Sequence, residues 1–385
     1  MRLKIVLRIS IKITTIISFL VLLVNCQQKN EVGKEKLDFS VAHHIMKDSV
    51  NQNIAGRLEN FLITKNQSPT DNQYWLPSDF DEYLFPYVDL YKIEKDSSAN
   101  YKVELLEIID IELDSVKLVK FACFKEMNDV TSLMNIYNVL AVKSEGQYFF
   151  SRSLQYNTRN WTTYQHEDFT YVVSPERNFN IEEAKKQQVF KDSLMQFFGL
   201  DIPPITYYSC ISPVELFEIK GYDYVANMYM SKSGGLAEVF SGIIFSGNDS
   251  ERYDHELVHF FTRALFQHDM IPLFHEGIAT YLGGSGDYSF TKLKVKLRQY
   301  LKNHPNMELA TMIKPYDRKH LLEDQLDAVY VVGALVCEYV VNEYGKEQLI
   351  SLLDTSGNQD LWIALEKVNL NKENFSKKLL LYLNS

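Results

Sequence analysis

Residues 251–261 read ERYDHELVHFF and contain the string HELVH, from His255 to His259. In a helix these two histidines lie about one turn apart, and their imidazoles project from one face. Two imidazole nitrogens so placed can hold a Zn2+ ion at about 2.0–2.1 Å each. Glu256 sits about 100° around the helix from His255. It is offset from the metal position but within reach of a water activated there, which is the place of a general base. The same five residues would also suit a buried amphipathic helix with two satisfied histidines, so the surroundings decide.

A catalytic zinc needs a third protein ligand and one open position. PLFHEGIATYLGG, residues 272–284, reads as the start of a second helix, and Glu276 is its best-placed carboxylate. Gly277 beside it lets two helix backbones approach closely, as ligand distances demand. His275 adjoins Glu276, and neighbours on a helix point about 100° apart, so His275 is expected to pack against the site rather than share the ion. His268 falls in the loop FQHDM, and His166 in YQHEDF reads as a surface or turn histidine. His43, His44, His304 and His320 have no partner in the sequence and read as ordinary polar residues.

HELVH followed by EGIATY resembles the gluzincin zinc peptidases, of the aminopeptidase-N and thermolysin type, over residues 200–350. The resemblance implies His255, His259 and Glu276 as zinc ligands, Glu256 as the base and a peptide or protein as substrate. It also implies an antiparallel sheet whose edge strand binds substrate, and AEVFSGIIFS stands in the right place before the HELVH helix. An oxyanion donor is expected downstream, at Tyr330 in YVVGALVCEYVVNEYG or alternatively at Tyr281. The chain departs from its relatives in three places. Sixteen residues separate His259 from Glu276, slightly fewer than in aminopeptidase N. GGLAE at 234–238 differs from that family's Gly-x-Met-Glu-Asn amine anchor, and Thr280 stands where thermolysin relatives carry an aspartate. The metzincin pattern is excluded, because Thr262 and Leu265 occupy the places of its glycine and third histidine. The competing reading is a catalytically silent lipoprotein that uses the same fold as a binding or scaffold protein.

Elements able to position this site follow from the pattern of the rest. The 385 residues are 46% hydrophobic and 23% charged with net charge −10, a globular composition that argues against a nucleic-acid-binding face. Residues 48–66 show helical spacing at Val50, Ile54, Leu58 and Leu62. From about 73 to 173, segments rich in β-branched and aromatic residues alternate with polar turns and predict strands. Residues 181–198 predict a helix, ITYYSC a strand, SPVELFEIKGYD a helix and GGLAEVFSGIIFSG, 234–247, a strand. After about 290 the apolar spacing is helical throughout. The expected fold class is α+β: an N-terminal antiparallel α+β domain at 48–173, then a metallopeptidase domain at 174–385 with a small sheet and a mostly helical C-terminal part. Cys123, Cys210 and Cys337 sit in apolar or aromatic surroundings and read as buried free thiols.

The first 25 residues read as a signal peptide, with Arg2, Lys4, Arg8 and Lys12 preceding an uncharged apolar run. LVNC, ending at Cys26, resembles a bacterial lipobox, which implies cleavage before Cys26 and lipid on its sulfur. Residues 26–47 would then be a tether, and the protein a lipoprotein of the bacterial cell envelope, most plainly of the outer membrane. Cys26→Ala is expected to leave the precursor unprocessed or release the protein from the membrane fraction. Wild-type processing and fractionation of that variant would overturn the lipobox reading.

Overall fold

The computed structural model describes residues 37–385 except 95, 113–114, 227, 230–232, 287, 314–319 and 323–325. The segment expected to be a signal peptide, and Cys26, lie outside the described residues. The fold is α+β, with two sheets and a helical C-terminal part.

Strand β1 (Asp38–Val41) opens the first sheet beside β2. Together with the buried Ile45 it orders the last part of the stretch expected to be a tether. Helix α1 (Ser49–Thr64) follows, capped by Asp48, which accepts from the Asn51 N–H at 2.8 Å. It buries Ile54, Ala55, Leu58, Phe61 and Leu62, while Val50 is 40% exposed, so the apolar face is turned from the expected one toward Phe61. The Phe61 ring packs on Trp75 and Phe150, joining the helix to the sheet. After α2 (Pro77–Tyr83) come β2 (Asn100–Glu112), β3 (Val116–Met127), β4 (Val130–Ser144) and β5 (Gln147–Arg152), each antiparallel to the one before.

Helix α3 (Leu154–Asn157) leads to β6 (Thr162–His166) and β7 (Phe169–Val173), an antiparallel pair that belongs to the second sheet. The chain then runs through α4 (Ile181–Phe198), β8 (Ile205–Ser209), α5 (Pro213–Ile219), β9 (Tyr222–Val225), β10 (Gly235–Glu238) and β11 (Ile243–Ser246). The strand order of the second sheet is β10-β11-β8-β7-β6. Its middle pairs, β11 with β8 and β8 with β7, are parallel, and its outer pairs antiparallel. The sheet is therefore mixed rather than antiparallel. The stretch 234–247 is also not one strand: Gly242, at φ 68°, turns it into a hairpin. β9 is not a strand of this sheet and pairs with β4 of the first. The two sheets thus do not divide at residue 173.

A buried ion cluster joins them. Arg152, at the end of β5, donates through both terminal nitrogens to the Glu238 carboxylate of β10 at 2.7 and 2.6 Å. Lys220 pairs with Glu238 as well and lies 3.1 Å from Asp89. Two cations and two anions balance, so each buried charge is compensated.

The helical part consists of α6 (Asp254–Leu265), α7 (Pro272–Gly283), α8 (Phe290–Asn303), α9 (Ala328–Tyr344), α10 (Lys346–Leu353), α11 (Leu361–Glu366) and α12 (Phe375–Asn384). α9 is apolar nearly all round and is buried accordingly, from Ala328 through Val340 with few breaks. Cys123, Cys210 and Cys337 are buried and unpaired, as expected, and burial pushes the Cys123 thiol up to about 12.

Gly277 serves a different contact from the one its position suggested. A Cβ there would stand 2.5 Å from the Gly333 carbonyl carbon, and a Cβ at Gly333 would stand 2.5 Å from the Leu273 oxygen. The close approach is between α7 and α9, not between α7 and the HELVH helix. In Gly333→Ala, the better helix propensity of alanine recovers up to about 1 kcal/mol. Backbone overpacking costs about 1–3 kcal/mol. The expected result is a net loss of about 1–2 kcal/mol, read as a lower denaturation midpoint with unchanged m. An unaltered midpoint would show that the two helices separate freely.

Candidate metal centre

The helix expected at 251–266 forms as α6, and His255, Glu256 and His259 are all buried on it. Glu276 is buried on α7, one residue before the Gly277–Gly333 contact. Its carboxylate oxygen Oε2 lies 3.2 Å from His255 Nε2 and 3.9 Å from His259 Nε2. The four residues that the sequence singled out therefore meet.

The protonation of His255 follows from its other nitrogen. Nδ1 lies 2.8 Å from the Gly284 carbonyl oxygen, which can only accept, so Nδ1 carries a proton. In the neutral ring, Nε2 then presents a lone pair to a carboxylate oxygen. His259 Nε2 approaches that same oxygen, and no hydrogen bond among the described residues reaches the buried His259 Nδ1. A lone pair of His255 facing a buried carboxylate requires a positive charge between them, and His259 Nε2 lies beside the same oxygen. A proton can serve one imidazole, while a divalent cation serves both and the carboxylate together. Two imidazoles and a carboxylate suit Zn2+, so the donor set fits that ion.

Ionisation follows the same geometry. Burial opposes the charged form of His255, but the hydrogen bond to Glu276 and the charges of Glu256 and Glu276 outweigh it and raise the pKa. Burial, with His275 and His255 close by, holds His259 well below the ordinary histidine range, which keeps the ring neutral with one nitrogen free to ligate. Burial also pushes Glu276 upward, yet hydrogen bonds from His255 and His275 hold its carboxyl well below the usual range. Glu256 goes the other way: burial raises it, and the Glu276 charge adds to the rise. The backbone N–H of Ala237 on β10 faces this carboxylate and favours its ionised form.

That approach places the base against the outer edge of the sheet. Gly247 N–H donates to Gly234 O at 2.8 Å, and ladder alternation then turns the backbone groups of Gly235 and Ala237 away from β11. β10 is the edge strand, antiparallel to its neighbour, with its free side toward α6.

The Tyr330 ring lies 5.9 Å from His255, on the first turn of α9. Tyr281 packs edge-on against Phe290 instead, near the Glu338 charge. His275 stacks on His259 at 4.1 Å, the packing expected of it. Its Nδ1 also lies 3.5 Å from Glu276 Oε1, and His259, His275 and Glu276 form a second group with donor atoms close enough for one ion. The first such group is His255, Glu256 and His259. His268 bonds Asp354 at 2.8 Å, away from the cluster. The hydroxyl of buried Thr280 has no hydrogen-bond partner among the described residues, and the support for His255 comes from Gly284 instead.

The Gly283-Gly284 pair is the functional element that sequence reasoning passed over. A Cβ at Gly283 would stand 2.7 Å from the Asp254 carbonyl carbon and the His255 nitrogen. The doubled glycine after EGIATYL was the available signal. It marks where one backbone must touch another, although not which one.

No known protein-family model matches this chain, and no curated protein matches it.

Proposed function

We propose that the protein is a zinc-dependent peptidase, held at a membrane through lipid on Cys26. The observation that carries this reading is the convergence of His255, His259 and Glu276 on one buried point with Glu256 beside it. His255, through Nε2, His259 and Glu276 would hold the ion. When bound, zinc polarises the peptide carbonyl and lowers the pKa of water.

The remaining work falls to the chain. The free side of β10 binds the peptide as an added strand through the backbone groups of Gly235 and the carbonyl oxygen of Ala237. Glu256, its affinity for protons raised by burial, takes the proton from the attacking water and passes it to the leaving amine. The Ala237 backbone N–H faces that carboxylate at the substrate edge. The Tyr330 hydroxyl donates to the oxygen that gains charge as the carbonyl carbon becomes tetrahedral. An intact Glu256 favours this reaction over a silent binding role, because a purely structural helix gains nothing from a buried carboxylate there.

Protein prepared without chelator should contain one zinc per chain by elemental analysis, and His259→Ala or Glu276→Ala should lose it. Absence of zinc, with no uptake on titration, would sink the reading.

Glu256→Gln keeps the ligands and the shape but cannot accept a proton. It should retain zinc and peptide binding while turnover falls about 10²–10⁴-fold. Tyr330→Phe should retain zinc and lower kcat roughly 10²–10³-fold. Wild-type turnover by Glu256→Gln would end the assignment of Glu256 as base. A silent Tyr330→Phe would remove only the oxyanion role of that residue.

A further inference from the structure

Arg263 lies on the same face of α6 as the site residues and has no part in the reaction proposed above. Taking His255 as zero and about 100° per residue, His259 falls near 40°, Arg263 near 80° and Glu256 near 100°. Arg263 therefore continues the catalytic face, about 10 Å along the axis beyond Glu256. Its guanidinium lies 4.5 Å from the ring centre of Phe240, in the turn between β10 and β11. Phe85 backs that ring from the other side at 4.5 Å.

Three other carboxylates near the site are paired within the described residues. Glu238 is taken by Arg152 and Lys220, Asp254 by Arg252, and Glu276 by His255. Arg263 alone among these groups makes no hydrogen bond or ion pair within the described residues; a ring contact and the distant Asp269 charge are its partners. It is half-buried, and burial lowers its pKa, only partly offset by Asp269. Stacking on an aromatic ring fixes the plane of a guanidinium but leaves its five N–H donors without acceptors. A planar fork held rigid, partly desolvated and without an anion is suited to a carboxylate.

We propose that Arg263 is a specificity determinant that binds a carboxylate of the peptide, either an acidic side chain or the C-terminus, about three residues from the cleaved bond. The spacing follows from about 10 Å along the helix and about 3.3 Å per residue of extended peptide. The inference rests on the peptidase reading for its substrate, although binding can be measured without turnover.

The test uses zinc-loaded Glu256→Gln protein and fluorescein-labelled peptides. One carries a single Glu and an amidated C-terminus, the second Gln in its place, and the third Gln with a free C-terminus; the Glu is walked along the sequence. The Glu peptide or the free-carboxylate peptide should bind roughly tenfold tighter than the neutral one, at one position of the carboxylate. Which of the two does so identifies the source. Adding Arg263→Met, which keeps the apolar stack on Phe240, should remove the difference and leave neutral-peptide binding, zinc content and denaturation midpoint unchanged. Arg263→Glu should reverse the preference toward a Lys-bearing peptide. Equal binding of acidic and neutral peptides, or a preference that survives both variants, overturns the proposal. If no peptide is cleaved by the wild type but Arg263-dependent binding is present, the peptidase reading fails and the carboxylate site stands.

Discussion

Two helices can touch backbone to backbone only where a side chain is missing at the contact, and α7 depends on this twice. Gly277 meets Gly333 of α9, and Gly283 meets the backbone at Asp254 and His255 of α6. One helix is thus pinned to two others at points about a turn and a half apart. Glu276 precedes the first contact by one residue, and Tyr330 precedes its partner glycine by three. Gly284, whose carbonyl orients His255, follows the second contact. The relative placement of the ligands is therefore set by missing methyl groups as much as by the imidazoles and the carboxylate.

The site holds two buried carboxylates whose surroundings drive them apart. Both lose hydration, but Glu276 receives hydrogen bonds from histidines, while Glu256 has one backbone donor and a like charge nearby. Environment, not residue type, gives them separate tasks. The same backbone donor faces Glu256 from the strand edge, so the ionisation of the base and the position of the edge are not independent.

The sequence was most legible where one element's own periodicity carries the information. The helix at 181–198 has the expected ends, because its apolar stripe and flanking residues are local signals. HELVH and EGIATY were legible for the same reason, being short strings with chemistry in their spacing. The hairpin in 234–247 was hidden, since Gly242 interrupts an apolar run that reads continuously as strand. β9 was hidden too: four residues after a helix gave no sign that they return to a sheet built far earlier in the chain. The pairing of Arg152 with Glu238 spans 86 residues and left no mark in either neighbourhood. Contacts made across such separations depend on topology, which spacing does not encode.

The Arg152–Glu238 pair has a consequence for how this molecule can be inherited or divided. β10 ends on a carboxylate neutralised from the first sheet, and β8 takes one of its neighbours, β7, from before residue 174. A gene fragment beginning after that point would encode all the metal-site residues and yet produce a sheet missing two strands, with Glu238 facing Lys220 but no Arg152 or Asp89. The helical half is not a transplantable module. Recombination that moves the site must move both sheets with it.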